Sequence, residues 1–171
     1  MAKMTSAYAN KVLRKLQEDK EFWLSKERDG YVYVAAIDEE PVIPEYDYET
    51  VAAHIVEIDE KIVAIKHAIN VVNATNVIIA GDKSMTIDAL LVSMAQSNKR
   101  KDMLDKMRKT QPKTRVSSGM FSVRKSAPEY QYINYDMDLI KKDYELIDAE
   151  IAAMQIALDK FNQTFEFEVE V

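Results

Sequence analysis

A chain of 171 residues, 47% apolar and 30% charged, is long enough to bury a core of its own. The absence of cysteine excludes disulfides, zinc–thiolate centres and thiol nucleophiles. No run approaches the roughly 18 apolar residues of a membrane span, and the N-terminus lacks a secretory apolar core, so the sequence reads as cytoplasmic with no membrane partner. The net charge of −6 conceals an asymmetry: residues 98–125 hold ten Lys and Arg against two Asp, a local +8, which leaves −14 on the rest.

In chain order, the opening "MAKMTSAYANKVLRKL" has the spacing of an amphipathic helix, capped at Thr5 or Ser6 and running over about 5–28 to Gly30, with Ala9, Leu13, Leu16 and Trp23 on one side. The β-branched and aromatic "YVYVAA" predicts a strand at 31–36, followed by an exposed connection with two prolines. The longest element is expected over 48–80. There Val51, Ile55, Ile58, Ile62, Ile65, Ile69, Val72, Asn76 and Ile79 alternate spacings of four and three, as in a coiled-coil seam. Gly81 supplies a turn, and Thr86 or Ser84 caps a helix over about 86–109, so that the two helices should fold back as an antiparallel hairpin. Pro112 stops the second of them. Strands are expected at 120–125 and 130–135, then a helix at 137–162 with a second seam from Met137 through Tyr144 and Ile151 to Phe161. The tail over 165–171 sets Phe165, Phe167, Val169 and Val171 against Glu166, Glu168 and Glu170, a strand with one dry face. Its glutamates are expected to meet the basic ribbon at 120–125. The whole reads as one mainly α domain, 1–171, a helical hairpin or coiled-coil bundle with a small β-ribbon.

Asn70, Asn73 and Asn76 interrupt the apolar stripe of the longest helix. Asparagine competes for backbone groups, so the three read as an ending, with Asn76 at a seam position where it would fix register; a ligand or metal role is the alternative. "NATN" before a glycine turn, with "MTIDAL" after it, resembles a family of small, functionally uncharacterised bacterial proteins known in part as septicolysins. The resemblance extends over about residues 50–165, where "VRKSAPEYQYI" and "LDKFNQT" stand in the places of that family's basic strand and final helix. Where the family has Trp after Asn162, this chain has Gln163. The resemblance implies a helical-hairpin homo-oligomer and brings no established activity with it.

Catalytic constellations are sparse. His54 and His67 lie thirteen apart, roughly 220° around a helix, and cannot share a metal on one face. His54-x-x-Glu57 reverses the order used in di-iron bundles. Glu57-x-x-Glu60 with Glu145-x-x-Asp148 is the kind of acidic pairing by which all-α nucleotide pyrophosphatases hold magnesium, and it provides one alternative reading. No phosphate loop or nucleophile motif is present, and no cofactor is implied. Met94, Met103, Met107 and Met120 read as packing. Tyr130, Tyr132 and Tyr135 read as one packed face of a ribbon rather than a base-stacking platform. The preferred expectation is a non-enzymatic, self-associating structural protein. The main alternative is a nucleic-acid or phosphate surface built from Lys99, Arg100, Lys101, Arg108, Lys109, Arg115, Arg124 and Lys125.

Overall fold

The computed structural model describes residues 2–116 and 128–170. It is mainly α with minor β. Among the described residues, four helices, α1 (Ser6–Gly30), α2 (Tyr48–Thr75), α3 (Ile87–Lys109) and α4 (Met137–Thr164), accompany six short strands that pair two by two. Two compact units form, one from Met1–Ile78 with Leu158–Val171, the other from Ile79–Ala157.

In the first unit, the Thr5 hydroxyl accepts from the Tyr8 backbone N–H at 3.2 Å and satisfies one of the donors that a helix start leaves open. Helices α1 and α2 run antiparallel. Lys20 Nζ donates to Asp59 at 2.6 Å, and three residues further along α1, Trp23 stacks on His54 five residues back along α2, with ring centroids 4.0 Å apart. Val51, Ile58, Ile65 and Val72, each seven residues from the next, are the buried residues of α2, while Ile55, Ile62 and Ile69 are half-buried. The expected seam therefore lies against the protein's own interior along one of its two rows.

One end of that interior is closed by β1 (Ala2–Thr5) and β6 (Glu166–Val169), antiparallel with Met4 opposite Phe167 and Lys3 opposite Glu168. The two-residue period sends Met4, Phe167 and Val169 into the cluster that holds Ala9, Leu13, Ile65 and Val72. Each large apolar side chain so buried contributes roughly 1.5–3 kcal/mol. Lys3 and Glu168 stay on the wet face, 3.9 Å apart.

Four boundaries differ from the sequence reading. Residues 31–36 form no strand, because no strand pairs with them among the described residues and a β-branched run without a ladder leaves its backbone to water. The helix expected over 48–80 ends at Thr75, where Asn76 takes the C-cap position and the β-branched Val77, Ile78 and Ile79 continue as a strand. The residues ahead of the first helix, for which no strand was expected, are β1. The tail strand meets β1, whose Met4 and Lys3 complement its apolar and acidic faces; the partner expected for it, 120–125, lies outside the described residues.

The chain enters the second unit through a hairpin of β2 (Val77–Ala80) and β3 (Lys83–Thr86). Gly81 turns it with φ of +63°, a conformation that side chains with a Cβ rarely adopt. Thr86 occupies the N-cap of α3, its hydroxyl donating to Asp88. Helices α3 and α4 run antiparallel here, since Lys101 pairs with Asp148 whereas Arg108, two turns on, reaches back to Tyr144. Ile87, Leu90 and Leu104 are fully buried, and Ala80, Ile140 and Met154 are also buried in this unit. The ribbon is β4 (Lys113–Arg115) with β5 (Tyr130–Tyr132), the latter covering only the first half of the strand expected at 130–135.

Candidate interaction surfaces

The basic segment divides into engaged and exposed cations. On α3, Lys101 and Arg108 lie seven residues apart on one side, and Tyr144 of α4 sits beneath both, with the Arg108 guanidinium 3.8 Å and the Lys101 ammonium 5.7 Å from its ring centre. Asp148 accepts from Lys101, and Asp105 accepts from Arg108 and Lys109. These bonds shift the ionisations in the expected sense. The hydrogen bond to Asp148 raises Lys101, the hydrogen bond to Asp105 raises Arg108, and hydrogen bonds from Lys109 and Arg108 hold Asp105 below the ordinary carboxylate range. Lys99 and Arg100 face water on α3, and Arg115 does so on β4. Arg124 and Lys125 lie outside the described residues. Thus the structure gathers Lys101, Arg108 and Lys109 into an intramolecular network with Asp105 of the same helix and Asp148 of α4. Asp148 stands 47 residues beyond its lysine, and no sequence spacing announces that pair.

The ribbon tyrosines depart from expectation. Tyr130 and Tyr132 are 41% and 62% exposed rather than packed, and Lys113 Nζ lies 4.3 and 5.4 Å from their ring centres. Tyr135 is half-buried, donating its hydroxyl proton to the Met107 carbonyl at 2.7 Å. With Met103, Lys106 and Gln131, Tyr132 and Tyr135 line a cleft of about 390 Å³.

Of the three asparagines, Asn76 caps α2, while Asn70 and Asn73 lie within the helix. Asn76 Nδ2 donates to the Val72 carbonyl at 3.0 Å, and the Asn76 backbone N–H reaches the same oxygen at 3.0 Å, closing the last turn. Asn76 is half-buried rather than buried, Asn73 is half-buried, and Asn70 is exposed. The candidate acidic sites are engaged by lysines: Glu57 accepts from Lys61 at 2.6 Å, and Asp148 from Lys101. His54 is half-buried in its stack with Trp23. Among the described residues, no group of three His, Asp or Glu side chains is placed to hold a metal, and no helix is long and apolar enough to cross a membrane.

Sequence reasoning passed over the outward face of α2. Val56 and Val63, 56% and 66% exposed in the body of a long helix, form a shallow apolar surface with Ala64, rimmed by Asp59, Glu60 and His67. The seam residues drew attention to the opposite side of the same helix. The signal was present in the spacing of seven between Val56 and Val63.

No protein-family model and no curated protein matches the chain. Among solved structures, the crystal structure of a functionally unknown conserved protein from Corynebacterium diphtheriae is similar, with a TM-score of 0.63 at 14% identity over 98% of this chain and 100% of that one. At that identity the likeness concerns the fold, which the two chains share along nearly their whole lengths.

Proposed function

We propose that the protein is a non-enzymatic helical module that acts in the cytoplasm by self-association. The observation that carries this reading is the pair of half-exposed or more exposed valines on α2, Val56 and Val63, on a helix whose other side is already buried. Two such side chains at one spacing on a rigid helix are a contact surface in search of a second face. The heptad rows of α2 and α4 accord with coiled-coil-like packing, and the septicolysin resemblance over 50–165, with its implied helical-hairpin homo-oligomer, points the same way. Sedimentation equilibrium over a range of micromolar concentrations tests the reading. It expects a mass above the 19.6 kDa of one chain, and a concentration-independent 19.6 kDa overturns it.

A second reading rests on the exposed Tyr130 and Tyr132 beside Lys113, a stacking platform with Arg115 opposite Tyr130 in the same ribbon, and on Lys99 and Arg100, which face water on α3. It is the weaker one, because carboxylates already engage Lys101, Arg108 and Lys109.

A further inference from the structure

The exposed face of α2 has an internal symmetry of its own. Taking Val63 as the midpoint, Ala52 and Ala74 stand eleven residues to either side, and at 100° per residue both point within roughly 20° of the Val63 direction. Val56 and Asn70 stand seven to either side within the same arc. The charged flanks are Glu60 and Lys66, three residues to either side of Val63. Asp59 and His67 lie four residues to either side. Glu60, Lys66 and His67 are exposed, and Asp59 is half-buried where it accepts from Lys20. The buried row, Val51, Ile58, Ile65 and Val72, points roughly 120–180° away, and Val56, Val63, Asn70 and Ala74 of this stripe are exposed, with Ala52 half-buried.

The geometry points to an antiparallel contact between the α2 helices of two copies of this chain, related by a twofold axis at Val63. This deepens the self-association reading above and rests on it. In that arrangement Val63 meets its own copy, and Val56 meets the partner's Asn70. The small side chains of Ala52 and Ala74 let the helix ends approach, and Glu60 opposes the partner's Lys66. A parallel arrangement in register sets Glu60 against Glu60 and Lys66 against Lys66, like charges that disfavour it. The outward-facing Asn70 thereby acquires a place at the margin of an apolar contact. The stripe spans 22 residue steps, roughly 33 Å of helix, with only two large apolar side chains per copy, which suits a dimer of micromolar affinity.

Because the chain has no cysteine, single substitutions at these exposed positions report the geometry directly by disulfide formation under mild oxidation. Val63→Cys should bridge to itself. Val56→Cys alone should not, since its copies would be separated by about 14 residue steps, roughly 21 Å, against the roughly 4.4–6.8 Å between Cα atoms that a disulfide allows. An equimolar mixture of Val56→Cys and Asn70→Cys should give a mixed bridge in about tenfold greater yield than Val56→Cys alone. Self-bridging by Val56→Cys overturns the antiparallel arrangement. Failure of Val63→Cys or of the mixed pair to bridge, while the unmodified chain sediments as a dimer, overturns this contact and leaves self-association standing through another surface. A monomer at every concentration overturns both.

Discussion

Phe167 offers the most direct test of how the first unit is held together. It lies on the dry face of β6, opposite Met4 and within the cluster that joins Leu13 of α1 to Ile65 and Val72 of α2. Only 8% of it is exposed, so truncation to alanine removes most of a phenyl ring from a closed environment. A buried aromatic covers roughly 150–250 Å², which at about 25 cal/mol per Å² is roughly 4–6 kcal/mol. The observed range for Phe→Ala in cores is about 3–5 kcal/mol. Since a two-stranded cap can settle inward, the lower part of that range, about 3–4 kcal/mol, is expected. For a chain of this length each kcal/mol lowers Tm by about 2–4 °C, so Phe167→Ala should melt roughly 6–16 °C below the parent. Its neighbour Glu168, which meets Lys3 at 3.9 Å in water, is the control: Glu168→Gln should change stability by less than about 0.5 kcal/mol, and added salt should erase the difference. Thermal melting followed by circular dichroism reads both. Equal Tm values for Phe167→Ala and Glu168→Gln would refute the assignment of β6 as the lid of this core.

Gly30→Ala should destabilise by about 1–3 kcal/mol in chemical denaturation, because its new methyl would stand 2.5 Å from Tyr46 Cβ; in the Tyr46→Gly background, where that Cβ is gone, most of the loss should disappear. Gly81→Ala, forced to φ of +63°, should cost about 1–2 kcal/mol that no second substitution restores. Asp105 titrates below its ordinary 3.8 in the folded protein because Lys109 and Arg108 donate to it, so the folded state binds the proton less readily than the unfolded chain. Its contribution is therefore complete above about pH 4 and fades as pH falls through the depressed value, and Asp105→Asn should flatten the dependence of the urea midpoint below about pH 4. Gel-shift titration at about 50 mM salt should show no complex with single- or double-stranded DNA or RNA; a complex that dissociates steeply by about 200 mM would favour the basic-surface reading instead.

Much of the helical frame was legible from periodicity. Ser6–Gly30, Ile87–Lys109 and Met137–Thr164 fall close to the expected spans, because an apolar stripe at helical spacing needs only local geometry to be recognised. What escaped depended on distant partners. The stretch at 31–36 has strand chemistry and no paired neighbour, whereas "AKMT" lacks strand chemistry and becomes β1 because Glu166–Val169 offers it a complementary face. Helix α2 stops at Thr75 rather than 80, since the seam period at Asn76 and Ile79 was outweighed by three consecutive β-branched residues. The basic segment was legible as a charge excess, but its engagement was not, for Asp148 reaches Lys101 only once α3 and α4 lie side by side. The outward face of α2 was hidden by the more conspicuous isoleucine row on the same helix, although Val56 and Val63 stood in plain order beside it.

The central claim is that the chain associates with itself through that outward face. Sedimentation velocity on the parent chain and on Val63→Lys at matched micromolar concentrations tests it most directly, because Val63 is exposed and its replacement leaves the core of the first unit untouched. The account predicts a parent of twice 19.6 kDa and a Val63→Lys variant of 19.6 kDa with the same helical circular dichroism. Identical masses for the two proteins would contradict it.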